Sequence, residues 1–69
     1  MDRKEFLKIC QQNAIGKVMK KVRFDGIEFY PFAYQMTFDG KGNPQNVAIL
    51  KDIKANSHTL AKLEKVEEL

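Results

Sequence analysis

Apolar and polar residues alternate on both sides of an Asp25-Gly26 pair, and this alternation predicts a β-hairpin. The run Val22–Phe24 precedes the pair and the run Ile27–Phe29 follows it. Asp-Gly between alternating hydrophobic residues is a strong signal for a two-residue hairpin loop. Such a loop fixes the register, and the register places the four apolar residues of the two runs on one face of the ribbon.

The same register sorts polar residues onto the other face of this hairpin. Arg23 lies opposite Glu28, which gives an opposite-charge pair, and Lys21 lies opposite Tyr30. Lys20 interrupts the alternation upstream, so we expect either a bulge there or a strand that starts near this residue. The first hairpin is therefore predicted over residues 20–30.

An amphipathic helix is predicted before the hairpin, over residues 3–15. Asp2 is a suitable N-cap and Glu5 stands at the capping-box spacing, while Met1 has the position of a hydrophobic staple. Gly16 is well placed to end the helix. One face of the helical wheel collects the apolar residues Phe6, Leu7, Cys10 and Ala14.

A second hairpin is predicted over residues 32–52. Pro31 cannot donate to a ladder, so it belongs at an edge, a bulge or a strand start. After it the chain alternates again, and turn residues fill the segment 39–45 before the apolar run 47–50. The residues expected on one face of the first strand are Phe32, Tyr34, Met36 and Phe38.

The C-terminal segment 58–68 has two interpretations. Residues 58–62 fit a closing strand followed by one helical turn, which we favour. Residues 60–69 also have high helix propensity, so a terminal helix is the alternative.

These elements predict an α+β domain spanning residues 1–69. The helix packs on a curved antiparallel sheet of four or five strands built from the two hairpins, either left as a curved sheet or curled into a small open barrel. The expected core consists of Phe6, Cys10, Val22, Phe24, Ile27, Phe29, Met36, Phe38, Val47 and Ile49.

The composition of the chain excludes several classes of protein. A chain of 69 residues has one cysteine, Cys10, and one histidine, His58, which excludes an internal disulfide and a structural zinc site of four ligands. A free thiol suits a reducing compartment. No run approaches the roughly 20 apolar residues of a membrane span, and the charged start is unlike a secretory signal. We therefore expect a cytoplasmic protein without a membrane partner.

Positive charge is concentrated at the front of the chain. Residues 1–23 hold seven Lys or Arg and two acidic residues, whereas residues 24–69 hold five Lys or Arg and seven acidic residues. Six of the seven aromatic residues lie between Phe24 and Phe38. The predicted binding face combines both features and consists of Lys17, Lys20, Lys21, Arg23, Tyr30, Phe32 and Tyr34.

No residue set predicts catalysis. Turns, caps and cross-strand pairing account for nearly all carboxylates, and Cys10 on an apolar helix face is a small core residue. Gly40-Lys41-Gly42 lacks the spacing of a phosphate-binding loop and has no helix after it. We expect no enzyme activity, no cofactor, no metal and no small-molecule substrate.

Three stretches, 25–31, 32–38 and 48–57, resemble a group of short bacterial proteins carried by mobile elements such as integrated phage and conjugative elements. The resemblance covers about half of the chain. It implies a small stand-alone cytoplasmic domain with a closing strand after Asn56, and it implies no activity. The helix-favouring segment Leu60–Leu69 departs from the group.

The residues leave two candidate functions. The first is a protein-interaction module, self-association included, that uses exposed aromatic residues on the sheet. The alternative is nucleic-acid binding, with the basic cluster on phosphates and Tyr30 or Tyr34 stacked on a base. The second is less favoured, because the chain lacks a ribonucleoprotein-type aromatic signature and a helix-turn-helix pattern.

Overall fold

One helix and five strands make up the fold of the computed structural model, which describes residues 1–16, 19–52 and 54–69. Sheet order is β4-β3-β2-β1-β5 and every neighbouring pair is antiparallel. The predicted α+β fold is confirmed, and the sheet is open. The elements are α1 (Arg3–Ala14), β1 (Val22–Phe24), β2 (Ile27–Phe38), β3 (Pro44–Asp52), β4 (Ser57–Lys62), a 3₁₀ turn (Leu63–Lys65) and β5 (Glu67–Glu68).

Helix α1 begins after Asp2, whose side chain accepts a hydrogen bond of 3.1 Å from the Lys4 N–H. This bond satisfies one of the donors that every helix N-terminus leaves free. The helix buries Phe6 and Ile9 against the sheet. Met1 packs on the same core, so the start of α1 is fixed by both a polar cap and an apolar contact.

The first hairpin has the predicted register. Val22 lies opposite Phe29 and Phe24 lies opposite Ile27 across β1 and β2. Asp25 and Gly26 have φ of 53° and 75°, which is the left-handed backbone that a two-residue loop of this kind requires.

Strand β2 continues through Pro31, so the two predicted hairpins share one strand. The register with β3 shifts between Pro31 and Ala33, which leaves Phe32 as an extra residue in a β-bulge. A bulge was one of the three positions predicted for Pro31. The extra residue also places Phe32 and Tyr34 on opposite faces, so the expectation that Phe32 shares a face with Tyr34 and its neighbours is wrong.

The C-terminal segment forms a strand, a 3₁₀ turn and a second, very short strand. The favoured interpretation of a closing strand with a helical turn is confirmed, and the terminal helix is wrong. Sheet pairing explains this outcome, because residues 57–62 pair with β3 and residues 67–68 pair with β1, so their backbone groups bond across strands and not within a helix.

The connection from β4 to β5 requires the sheet to curl. These strands are the two edges of the sheet. In a flat sheet of five strands spaced by about 4.8 Å, the two edges would lie roughly 19 Å apart. Only residues 63–66 join them, and a 3₁₀ turn rises just ~2 Å per residue. The edges must therefore approach each other around the core.

The core lies between α1 and the concave side of this sheet. Of the ten predicted members, Phe6, Val22 and Phe29 are buried, and Cys10 and Phe24 pack at the margin. The core cluster of the described residues is Phe6, Ile9, Val22, Phe29, Ala48, Leu50, Ala61, Leu63 and Val66, and Pro31 is buried as well.

The other five predicted core residues are wrong for two reasons. Val47 and Ile49 are half-buried on the opposite face, because Ala48 and Leu50 are the β3 residues that point to the core. Ile27, Met36 and Phe38 lie at the two ends of β2, where α1 does not reach, and are exposed. A 12-residue helix is ~18 Å long, whereas a 12-residue strand extends ~40 Å.

Candidate binding face of the sheet

The convex face of the sheet, which we call the outer face, is opposite to the core. Two of its large apolar side chains, Phe32 and Leu60, are exposed. Cross-strand registers arrange its side chains in three rows over β2, β3 and β4. The rows are Tyr30–Lys51–His58, Ala33–Ile49–Leu60 and Gln35–Val47–Lys62.

An apolar strip crosses the middle of this face. Phe32 is 58% exposed and Leu60 is 65% exposed, with half-buried Ile49 lying between the strands that carry them. The Phe32 ring also contacts the His58 ring, with 4.9 Å between centroids. We call this set the outer strip, and its members are Phe32, Ala33, Val47, Ile49 and Leu60.

Basic residues of the first hairpin lie next to acids. The Lys21 Nζ atom is 3.8 Å from a Glu28 carboxylate oxygen and 5.4 Å from the centre of the Tyr30 ring. Arg23 lies between Glu28 on β2 and Glu67 on β5 in the strand registers. This part of the outer face is therefore a mixed-charge margin and not a purely basic patch.

The predicted binding face is only partly assembled. Lys21, Arg23, Tyr30 and Phe32 share the outer face. Lys20 is exposed before β1, and its backbone N–H and carbonyl both bond to the Asn13 side chain at 2.9 Å. Lys17 lies outside the described residues.

Tyr34 lies on the other face of the sheet. Its ring packs at the margin of the core and its hydroxyl hydrogen-bonds with the Asn46 side chain. The Phe32 bulge causes this separation, because one extra residue reverses the alternation along β2.

Sequence reasoning missed the β3 and β4 members of the outer strip. The run 47–50 is continuously apolar, which signals a strand with apolar side chains on both faces. Leu60 and Ala61 are consecutive residues of the predicted strand 58–62, so they point to opposite faces. These two signals could have shown that each strand carries an apolar residue on both faces, whereas the contact between the strands depends on their pairing.

The glycine-containing loop after β2 is occupied by its own aspartate. Asp39 Oδ1 accepts from the Lys41 N–H at 2.8 Å and from the Asn43 N–H at 2.9 Å, and the Gly42 N–H donates to the Asp39 carbonyl at 3.0 Å. These bonds, first that from Asn43 and then that from Lys41, lower the pKa of Asp39. The loop therefore uses internally the amides that a phosphate site would offer.

Cys10 has the environment of a packing residue. Burial raises the pKa of its thiol, so the thiol stays protonated and is a poor nucleophile. No group of three or more His, Cys, Asp or Glu side chains suited to a metal ion occurs within residues 1–16, 19–52 and 54–69.

Comparison with known proteins gives no relative. No protein-family model matches the chain, and no curated protein or solved structure matches it. In the described ranges, no helix has both the length and the apolar character needed to cross a membrane.

Proposed function

We propose that the protein is a non-catalytic interaction module that binds a protein partner on the outer face of its sheet. The outer strip carries this proposal. Phe32 and Leu60 expose large apolar side chains on a face that the described elements leave open. Contiguous apolar surface of this kind, bordered by polar residues, is typical of protein interfaces.

Charges around the strip define the partner's chemistry. Lys51 and Lys62 border the strip on β3 and β4, in the rows above and below Ile49. Acids on this face, Glu28 and Glu67, lie at the far margin beside Arg23. The partner we propose therefore presents an apolar side chain between acidic residues, with the apolar group against Phe32 and Leu60.

Nucleic-acid binding is less well supported. Lys21 and Arg23 would contact phosphates, yet Glu28 and Glu67 lie next to them. Neighbouring carboxylates repel phosphates and weaken the electrostatic attraction on which such binding depends. A gel-shift assay with labelled single-stranded DNA and RNA at about 50 mM salt, where phosphate contacts are strongest, would reveal this function as a shifted band.

A cytoplasmic location of the protein is part of the same proposal. Cys10 is a free thiol, which suits a reducing compartment. The resemblance to short proteins of bacterial mobile elements fits a small cytoplasmic module, and it remains a prediction.

Paired phenylalanine variants test the proposed binding face. Peptides that contain one aromatic residue among acids are selected from a displayed library on the wild-type protein. Phe32→Ser should weaken binding of the selected peptides by tenfold or more, because it removes an apolar anchor from the strip. Affinities are measured by isothermal titration calorimetry.

Phe38→Ser is the matched control. Phe38 is 65% exposed, close to the exposure of Phe32, but it lies at the far end of β2 outside the outer strip. It should leave peptide affinity within twofold of the wild type. Equal affinities of the wild type and Phe32→Ser, or a selective loss in Phe38→Ser, would overturn the proposed face.

A further inference from the structure

Strand β4 forms one edge of the sheet and has no partner strand on its outer side among the described elements. It contains six residues, without proline and with a regular register to β3. We propose that a second copy of this chain pairs with β4 at this edge, antiparallel and centred on Leu60. This inference rests on the proposed function in one respect, since Leu60 also belongs to the outer strip.

Backbone alternation identifies which groups of β4 are free. The Asp39 N–H bonds the Asn43 carbonyl at 2.9 Å and closes the β2–β3 hairpin. Hydrogen-bonded and non-hydrogen-bonded pairs alternate along an antiparallel ladder. Counted from this closing pair, Ala48 and Leu50 fall in non-hydrogen-bonded pairs with β2, so their backbone N–H and C=O groups point toward β4. Their partners on β4 are Ala61 and Thr59. The residues left to point backbone groups away from the sheet are His58, Leu60 and Lys62.

Water can bond such free backbone groups, and an added extended strand can replace it along the whole edge. Protein edges are usually protected by proline, bulges, several charges or a covering segment. On β4 the described structure shows one such device, the Lys62 side chain, at the end of the strand. The centre of the edge, around Leu60, is unprotected.

Symmetry makes a second copy a suitable occupant. A two-fold axis perpendicular to the sheet pairs identical strands antiparallel. With the axis at Leu60, His58 lies opposite Lys62 of the second copy, so the two lysines do not face each other. Thr59 lies opposite Ala61 of the second copy on the concave side. Each Lys62 therefore meets an imidazole and not a second ammonium group.

The pairing also joins the two outer strips. Opposite residues in a hydrogen-bonded antiparallel pair have Cα atoms about 5.5 Å apart, so the two Leu60 side chains would contact each other on the outer face. Leu60 is 65% exposed in the single chain, and the pairing gives it an apolar neighbour. The result is one continuous apolar band that runs from Phe32 of one copy to Phe32 of the other.

Contact through one six-residue edge is small. Interfaces that bury less than about 1,200 Å² in total belong to weak, transient complexes. We therefore expect a dimer that forms with rising concentration and dissociates on dilution, with a dissociation constant in the micromolar to millimolar range.

Leu60→Pro tests this pairing. Proline removes the free N–H at the centre of the edge, whereas the bonds from β4 to β3 do not use that N–H. Sedimentation velocity over a concentration series should show the wild type shifting toward a dimer and Leu60→Pro remaining monomeric. Phe32→Ser should dimerise like the wild type, because Phe32 lies away from the edge. Peptide binding by these same variants shows separately whether the proposed function fails.

Hydrogen exchange of the wild type provides a measurement that does not depend on a folded proline variant. Amide protection of His58, Leu60 and Lys62 should rise with protein concentration, while protection of the β5 amides should not. Three results would overturn the inference: a wild type that stays monomeric at millimolar concentration, a dimer that persists in Leu60→Pro, or a dimer lost in Phe32→Ser. The last result would indicate association of outer faces in place of strand edges.

Discussion

Phe32 determines which side chains reach the outer face. As the extra residue of the β2 bulge, it lies on the outer face together with Ala33, and it sends Tyr34 to the opposite side. Without the bulge, regular alternation from Tyr30 would place Tyr34 on the outer face. The aromatic content of the candidate interface therefore depends on one residue after Pro31.

Backbone strain at the hairpin loop gives a test at single-residue level. Gly26 has φ of 75°, and nothing lies within 4 Å of the position that a Cβ would occupy. Gly26→Ala should lower the free energy of unfolding by roughly 1–2 kcal/mol, because an L-residue is disfavoured in left-handed backbone. Urea denaturation followed by circular dichroism measures the change.

Gly40→Ala is the control for this variant. Gly40 also has open space around the Cβ position, but its φ is not in the left-handed region. Its effect should stay within about 0.5 kcal/mol. Equal losses for both alanine variants would show that the loop conformation is not the cause.

Asp39 gives a prediction for pH. Its pKa lies below the ordinary value of 3.8, since the Asn43 and Lys41 amides donate to the charged carboxylate. The charged carboxylate orders the loop fully at pH values above its ordinary pKa. This ordering is lost as the pH falls through the lowered pKa of the folded protein. Carbon-13 NMR of the carboxyl group should show a midpoint below 3.8, with the two amide shifts moving in the same step.

Asp39→Asn is the matched variant, because the side-chain oxygen remains while the titration is removed. The acid-induced shift of the Lys41 and Asn43 amides should disappear in it. A carboxyl midpoint at or above the ordinary value in the wild type would contradict this account of the loop.

Among the elements, those defined by local signals were predictable. Asp25-Gly26 fixed the first hairpin and its register, and Asp2 marked the start of α1. Strand faces were harder to predict where local pattern is ambiguous. The run 47–50 is apolar at every position, so the choice of Ala48 and Leu50 for the core depends on pairing with β4 and on the position of α1.

The candidate site was less predictable than the fold for the same reason. Tyr30, Lys21 and Arg23 reached the outer face because their register follows from a two-residue loop. Leu60 and Ile49 meet only through the pairing of β3 with β4, which no local signal encodes. The extent of α1 coverage, which leaves Met36 and Phe38 exposed, is also a property of long-range packing.

Paired leucine variants test the assignment of faces on β3 and β4. Leu50 is fully buried and Leu60 is 65% exposed, although the two strands are neighbours. Leu50→Ala should cost 2–5 kcal/mol in unfolding free energy, because it leaves a cavity in the core. Leu60→Ala should cost less than about 0.5 kcal/mol. Denaturation at submicromolar concentration, below the range of self-association, measures both.

Leu50→Ala should be a severe change because the core of this protein is small. Domains below about 70–80 residues seldom gain more than ~3–5 kcal/mol from one core, so Leu50→Ala should remove a large share of the stability. Similar losses for both leucines would contradict the assignment of the concave face as the core side.

At the scale of the whole molecule, the short helix leaves much of a long sheet uncovered. The molecule measures 38 × 24 × 18 Å. Ile27, Met36 and Phe38, at the two ends of β2, are exposed. A small domain that keeps an open convex face with Phe32, Ile49 and Leu60 on it has surface available for a partner. We take the outer face to be that surface.

An amide chemical-shift map with a selected aromatic-acidic peptide tests this central claim most directly. The account predicts shifts at the outer strip on β2, β3 and β4, with little change along α1 or at Met36 and Phe38. Shifts confined to α1 or to the far end of the β2–β3 hairpin, with the outer strip unchanged, would contradict it.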